Sequence, residues 1–181
     1  MAARRSGPRN RAEASPGLAR LWAPWRRAYV QKGARRPAKC IFCFGRIGAA
    51  RRRERLVLHA DARVIVMLNR YPYNNGHLMV APRRHVASPK LLEPQEHAAL
   101  GAAIARAVAN LRRAYRPDGF NLGANLGRAA GAGIAAHLHW HLVPRWEGDT
   151  NFMPVAAHTR VLAEMLEETF ARLQPHFKSA R

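Results

Sequence analysis

The sequence predicts an α+β fold: two main helices packed on an antiparallel sheet of about five strands. Two observations lead to that class. Short apolar runs bounded by Gly, Pro, Asn and Asp recur through the middle of the chain, as strands do. Twice the pattern switches to a helical period, first over 94–115 and again over 161–173. Strands, helix, strands, helix is an order that suits helices laid on an antiparallel sheet.

The elements follow in order. Residues 1–20 form a basic tail rich in Arg, Ala, Gly and Pro, expected to be disordered. A single domain is expected over 21–175, with a C-terminal tail at 176–181. Leu21 to Tyr29 concentrates Trp22, Trp25 and Tyr29, large aromatics that are costly to expose, so this segment is expected to dock. Cys40 and Cys43 come next, then a basic run from Arg51 to Arg55. Strands are expected at Arg55–His59 and Val64–Leu68. Tyr71 to Gly76 is a turn cluster, and His77–Ala81 is a third strand, ended by Pro82. In the helix from Pro94 to Tyr115, Leu100, Ile104, Ala107, Val108 and Leu111 mark the apolar side. Pro94 suits the first turn, Gln95 and Glu96 the positive end of its dipole, and Arg112 and Arg113 the negative end. Pro117-Asp118-Gly119 ends it. Phe120–Asn125 and Leu138–Val143 read as strands around a Gly/Ala loop, and Val161–Leu173 is the second helix.

The net charge is +20, and about half of the basic residues precede residue 56. A positive field of that size attracts polyanions. Nucleic acid and a polyphosphate substrate are both candidates, and a solvated Arg-rich tail is an equally good reading of the N-terminus. No apolar run is long enough to span a bilayer. No apolar stretch follows Arg4 and Arg5, which argues against a secretory signal. An Arg-rich start is shared with mitochondrial transit peptides, but no amphipathic targeting helix follows, and cytoplasm is the expected compartment.

The chemistry concentrates in His137-Leu138-His139-Trp140-His141-Leu142-Val143. On a strand, alternate side chains share a face. His137, His139 and His141 then line up together, while Leu138, Trp140 and Leu142 face the core. Aligned imidazoles can attack phosphorus and protonate a leaving group, because their ordinary pKa lies near neutrality. They can also bind zinc. Three of the nine histidines within five residues is too dense for a merely polar strand face. Just upstream, the loop from Asn125 to Ile134 carries Gly131, Ala132 and Gly133, small residues that let a phosphate approach the backbone. The pair Cys40/Cys43, taken alone, fits zinc, redox chemistry or neither.

The run His137–Val143 resembles the pattern for which the histidine-triad superfamily is named. The similarity extends to Asn69–Val80 and, through Pro144-Arg145-Trp146 and Gly148–Phe152, to a bacterial branch that includes diadenosine tetraphosphate phosphorylases. The resemblance implies the histidine-triad fold and nucleotidyl transfer at the α-phosphate of an adenine nucleotide. His139 would be the nucleophile, His141 would contact the scissile phosphate, and His77 matches a fourth active-site histidine. Asn69 would meet the ribose, Asn125 a phosphate oxygen, and Trp146 occupies a functional tryptophan position. The resemblance also implies that His85 and His137 complete a structural zinc site with Cys40 and Cys43. His59, His97, His158 and His176 are read as ordinary surface or helix residues.

The expected reaction is phosphorolysis of diadenosine tetraphosphate, with inorganic phosphate as co-substrate, in a homodimer or higher homo-oligomer whose sheet continues across the interface. This chain has Gly133 where phosphorylases of the branch can carry serine, which leaves only backbone donors there. Two alternatives stay open. One is hydrolysis of dinucleoside polyphosphates or nucleoside phosphoramidates. The other is a non-catalytic nucleotide- or RNA-binding module, less favoured because it has no use for a nucleophile paired with an acid.

Overall fold

The computed structural model describes residues 40–149 and 162–178. The basic tail, the Trp22/Trp25/Tyr29 segment, Thr150 to Phe152, His158, Val161 and residues 179–181 lie outside the described residues. Five strands form one antiparallel sheet: β1 (Val57–Ala60), β2 (Val64–Leu68), β3 (Leu78–Pro82), β4 (Gly119–Ala124) and β5 (Trp140–Arg145). Their spatial order is β1-β2-β3-β5-β4, so β5 inserts between β3 and β4. The helices are α1 (Ala49–Glu54), α2 (Pro94–Tyr115) and α3 (Leu166–Phe177), with a 3₁₀ turn at Pro89–Leu91.

Strand alternation splits the core in two. Leu58, Val64, Val66, Leu68, Leu78, Val80, Leu138 and Leu142 point to one face, where Leu100, Ala103, Ala107 and Leu111 of α2 and Phe170 and Leu173 of α3 cover them. Val57, Ile65, Met67, Met79 and Ala81 point to the other face, covered by the segment from Cys40 to Ile47 and by Ile134. Phe42 is its plug and is fully buried. With both faces covered, β2 and β3 are buried along their whole length, and their sequence reads as near-continuous apolar runs rather than alternation.

Helix α2 has the bounds its period predicts. The Glu96 carboxylate accepts the Glu93 N–H at 2.8 Å and is held by Arg84 at 2.6 and 3.0 Å. At the other end Arg116 turns left-handed (φ +49°) and donates its N–H to the Arg112 carbonyl, just before Pro117.

The larger differences from the sequence expectation fall at β1, α1, α3 and β5. Strand β1 begins at Val57 rather than Arg55, because residues 55 and 56 form a turn in which Leu56 has φ +59°. Helix α1 was not expected, although its Ala and Arg residues are strong helix formers. Helix α3 begins at Leu166 rather than Val161. Glu164 is drawn aside by Tyr115, by Thr169 (3.0 Å) and by Arg172 (2.8 Å), while Glu168 accepts the Met165 N–H at 3.0 Å and starts the helix there. Strand β5 begins at Trp140 rather than Leu138. The Leu138 N–H bonds to the Val86 carbonyl at 2.6 Å, so the chain is held by the loop after β3 before it joins the sheet.

Candidate active site

Register carries the histidines onto one face. Met79 of β3 pairs with His141 of β5, so His77, two residues earlier on β3's line, shares that face with His139 and His141. The rings of His139 and His141 lie edge-on with centroids 5.0 Å apart, and those of His77 and His141 are 5.1 Å apart. His77 and His139 are buried and His141 is half-buried. His137 faces the same side but belongs to a second cluster, described below.

The hydrogen bonds fix where the protons sit. The Nδ1 of His139 lies 2.8 Å from the His137 carbonyl, which can only accept, so Nδ1 carries the hydrogen and Nε2 keeps its lone pair. The Tyr73 backbone N–H can only donate, and it points at His77 Nδ1 from 3.1 Å. His77 therefore holds its hydrogen on Nε2, which donates to His141 Nδ1 at 3.0 Å. His141 is left with its hydrogen on Nε2. The result is a neutral lone pair on His139 beside an N–H donor on His141.

Burial favours these neutral forms. It pushes His141 down to about 4, with the neighbouring His139 adding to the shift. Burial also lowers His139, opposed by its bond to the His137 carbonyl.

The turn between β2 and β3 supports this chain of imidazoles. Asn69 Nδ2 lies 3.4 Å from His77 Nδ1, and its Oδ1 accepts the Tyr71 N–H at 3.0 Å. The half-exposed Tyr73 ring stands 4.8 Å from His77 and 6.0 Å from His141. Gly76, at φ +74°, lets the turn close: a Cβ there would come within 3.1 Å of Leu111 and 3.3 Å of Pro144. Asn74 bonds to the Asp149 carboxylate at 2.8 Å, and Arg145 grips the same carboxylate through two nitrogens at 2.5 and 2.6 Å.

Asn125 follows the last residue of β4, and its amide lies against Gly131, whose φ is +87°. The Gly131 N–H bonds to the Arg128 carbonyl at 2.9 Å and that of Ala132 to the Gly127 carbonyl at 3.3 Å. These two amides close the loop on itself. Gly133 is exposed, with open space where a side chain would start. Trp146 has Tyr115 of α2 as its ring partner: it follows the last residue of β5 and packs edge-on against that ring, with centroids 6.4 Å apart.

Cys40, Cys43, His85 and His137 converge, with one donor atom from each lying within 4.8 Å of all the others. The separations are 3.3 Å for Cys40 Sγ to His137 Nδ1, 3.1 Å for Cys43 Sγ to His85 Nδ1, 3.6 Å for Cys43 Sγ to His137 Nδ1, and 3.2 Å between the two Nδ1 atoms. Tetrahedral zinc bonded to nitrogen and sulfur has ligand–ligand edges of about 3.3–3.8 Å. His137 Nε2 donates to the Pro82 carbonyl at 2.9 Å, which leaves the Nδ1 lone pair for a metal and anchors the ring from behind. Burial and the adjacent Cys40 raise the Cys43 thiol, with Arg83 opposing, so two thiolates at this spot call for a cation. The donor set fits a closed zinc site.

Two contributors carry little signal in the sequence. The Tyr73 donor is backbone and has none. Phe42 announces itself only as an apolar residue between two cysteines.

Comparison with known proteins agrees with this architecture. The sequence profile of the HIT domain matches residues 51–148. The chain is 40% identical to a protein of Mycobacterium tuberculosis named AP-4-A phosphorylase, over 84% of this chain and 80% of that one. Among solved structures it is similar to a hypothetical histidine triad nucleotide-binding protein from Sulfolobus tokodaii, with 26% identity, TM-score 0.57, and 68% and 83% of the two chains covered. It is also similar to a zinc-bound histidine triad family protein from Mycobacterium smegmatis, with 26% identity, TM-score 0.55, and 67% and 83% covered.

Proposed function

The chain belongs to the HIT domain family, and from that premise we propose that it is a nucleotidyl transferase that splits diadenosine tetraphosphate with inorganic phosphate. The carrying observation is the His77–His141–His139 arrangement, which puts a lone pair and an N–H donor side by side on one sheet face. The substrate follows from the relative named AP-4-A phosphorylase, which matches over most of both chains.

In this reading the His139 Nε2 lone pair attacks the α-phosphorus, forming a P–N bond as the bond to the bridging oxygen breaks. ATP departs with its negative charge on the released oxygen, which the His141 Nε2–H stabilises by a hydrogen bond while keeping its proton. His77, held by the Tyr73 N–H, keeps His141 in the tautomer that can donate. A phosphate oxygen then attacks the same phosphorus, the P–N bond breaks, and ADP leaves with His139 neutral again. Asn69 would meet the ribose and Asn125 a phosphate oxygen, with Gly131, Ala132 and Gly133 giving the chain close approach. With water as the acceptor the product would be AMP, the hydrolytic alternative.

Zinc held by Cys40, Cys43, His85 and His137 would serve structure: it would pin the segment that covers the second sheet face. Two reduced thiols suit the cytoplasm. No helix among the described residues is long and apolar enough to cross a membrane. Strand β4 ends the sheet with Leu122 half-exposed, an edge on which a second copy could continue the sheet.

The test is incubation with diadenosine tetraphosphate, with and without phosphate. ADP plus ATP only when phosphate is present is the expected result. AMP plus ATP would assign hydrolysis, and no turnover of any nucleotide would overturn the enzyme reading. His139→Ala should abolish turnover and retain nucleotide binding; an unchanged rate would refute the nucleophile.

A further inference from the structure

Phe42 sits between two of the zinc-site cysteines yet touches the nucleophile. Its ring is fully buried, with its centroid 4.9 Å from that of His137 and 5.2 Å from that of His139, tilted 50° and 35° to them. Behind it stand Val57, Ile65, Met67, Met79 and Ala81 on the second face of the sheet. The chain on either side is tied down: Cys40 Sγ lies 3.3 Å from His137 and Cys43 Sγ 3.1 Å from His85, and the Cys43 N–H bonds to the Cys40 carbonyl at 3.2 Å.

The bond from Nδ1 to the His137 carbonyl anchors one atom of His139 and sets its tautomer. A single bond does not fix the plane of the ring. That takes packing against the ring, and the structure supplies two aromatic neighbours: His141, near-perpendicular at 5.0 Å, and Phe42, tilted by 35° at 5.2 Å. We infer that Phe42 is a positioning residue that holds the His139 imidazole in its attacking orientation, and that the Cys40–Cys43 clip acts on the reaction through this ring. The inference rests on His139 being the nucleophile.

The route is physical at each link. Ligands fix the short loop from residue 40 to 43, the loop fixes Phe42 against the sheet, and Phe42 fixes the imidazole plane. Misplacing a reacting atom by about 1 Å can cost on the order of 100-fold in rate. Truncating Phe42 gives His139 room to rotate while its hydrogen bond, its chemical identity and the substrate contacts all remain. The loss therefore falls on kcat, with KM nearly unchanged.

The experiment compares Phe42→Ala and Phe42→Leu with Val57→Ala, which removes bulk from the same cluster away from the histidines. Kinetics with diadenosine tetraphosphate and phosphate, zinc content, and ¹⁵N-histidine NMR are measured on each. The expected result is a kcat about 10- to 100-fold lower in Phe42→Ala at full zinc content, a smaller loss in Phe42→Leu, and KM within about threefold. The His139 ring signals broaden or shift, and Val57→Ala keeps wild-type kcat and signals. If Phe42→Ala fails to fold or to hold zinc, Phe42→Leu decides on the same criteria. A Phe42 variant with zinc bound whose kcat and His139 signals match those of Val57→Ala overturns the inference. His139→Ala separates the two claims. Turnover in that variant refutes the nucleophile itself; a dead His139→Ala beside fully active Phe42 variants refutes only the positioning role. The NMR comparison needs no substrate and stands even if another nucleotide proves to be the true one.

Discussion

Replacing Gly76 by alanine should destabilise the protein by about 2–5 kcal/mol, from two sources that can be separated. The first is backbone strain: Gly76 has φ +74°, where an alanine costs about 1–2 kcal/mol. The second is crowding. The new Cβ would lie 3.1 Å from Leu111 Cδ2, 3.3 Å from Pro144 Cγ and 3.4 Å from Tyr115 Cε2. Leu111 is fully buried under the sheet and cannot retreat, so overpacking adds about 1–3 kcal/mol. Gly131→Ala is the matched control. Its φ of +87° carries similar strain, but its Cβ would meet only the Asn125 amide, at 3.9 Å, so about 1–2 kcal/mol is expected. Urea unfolding followed by tryptophan fluorescence gives both values, provided the slopes match that of the wild type. Equal destabilisation in the two variants, within about 0.5 kcal/mol, would refute the crowding argument. Because His77 follows Gly76 directly, Gly76→Ala should also lower kcat.

Two further predictions concern protons and metal. Burial holds His141 at about 4, so its neutral, donating form persists well below the ordinary histidine range, and kcat should stay level from about pH 8 to about 5 before falling. The sign for stability follows: between the unfolded value near 6.5 and the folded value near 4, the unfolded chain binds the extra proton, so stability declines as pH falls through that window and levels off below it. An acid limb in kcat centred near 6.5 would contradict the assignment. For the metal, protein purified without chelator should carry about one zinc per chain, and Cys43→Ser should lower both that content and the thermal midpoint; unchanged zinc in the variant would dismiss Cys43 as a ligand.

Much of this was legible in the sequence because local pattern and tertiary role agree. The period from Pro94 to Tyr115 gives α2 with its observed bounds, and the alternation from His137 to Leu142 matches the division of those side chains between the two faces. What was not legible depends on partners distant in the chain. The start of α3 is set by Glu164 reaching Tyr115. The start of β5 is set by the Val86 carbonyl taking the Leu138 N–H. Helix α1 was hidden because a run of arginines reads first as charge. At the site, the imidazoles and thiols were visible as residue types, and the resemblance supplied the pairing of Cys40 and Cys43 with His85 and His137. The proton arrangement was not visible, because it is set by the Tyr73 N–H and the carbonyls of Pro82 and His137, and backbone groups look the same in every residue.

The contact between Cys40 and His137 joins residues 97 positions apart, while that between Cys43 and His85 spans 42. Contacts of such separation close late, since a long loop loses much entropy before they form. Helix α2 and the hairpin of β2 and β3 can form from neighbours alone, but the covering of the histidine face waits for both ends of the domain to meet. During refolding, secondary structure should therefore return before activity does. A nascent chain that has not yet brought residue 40 to residue 137 would have its sheet and helices but an uncovered histidine face.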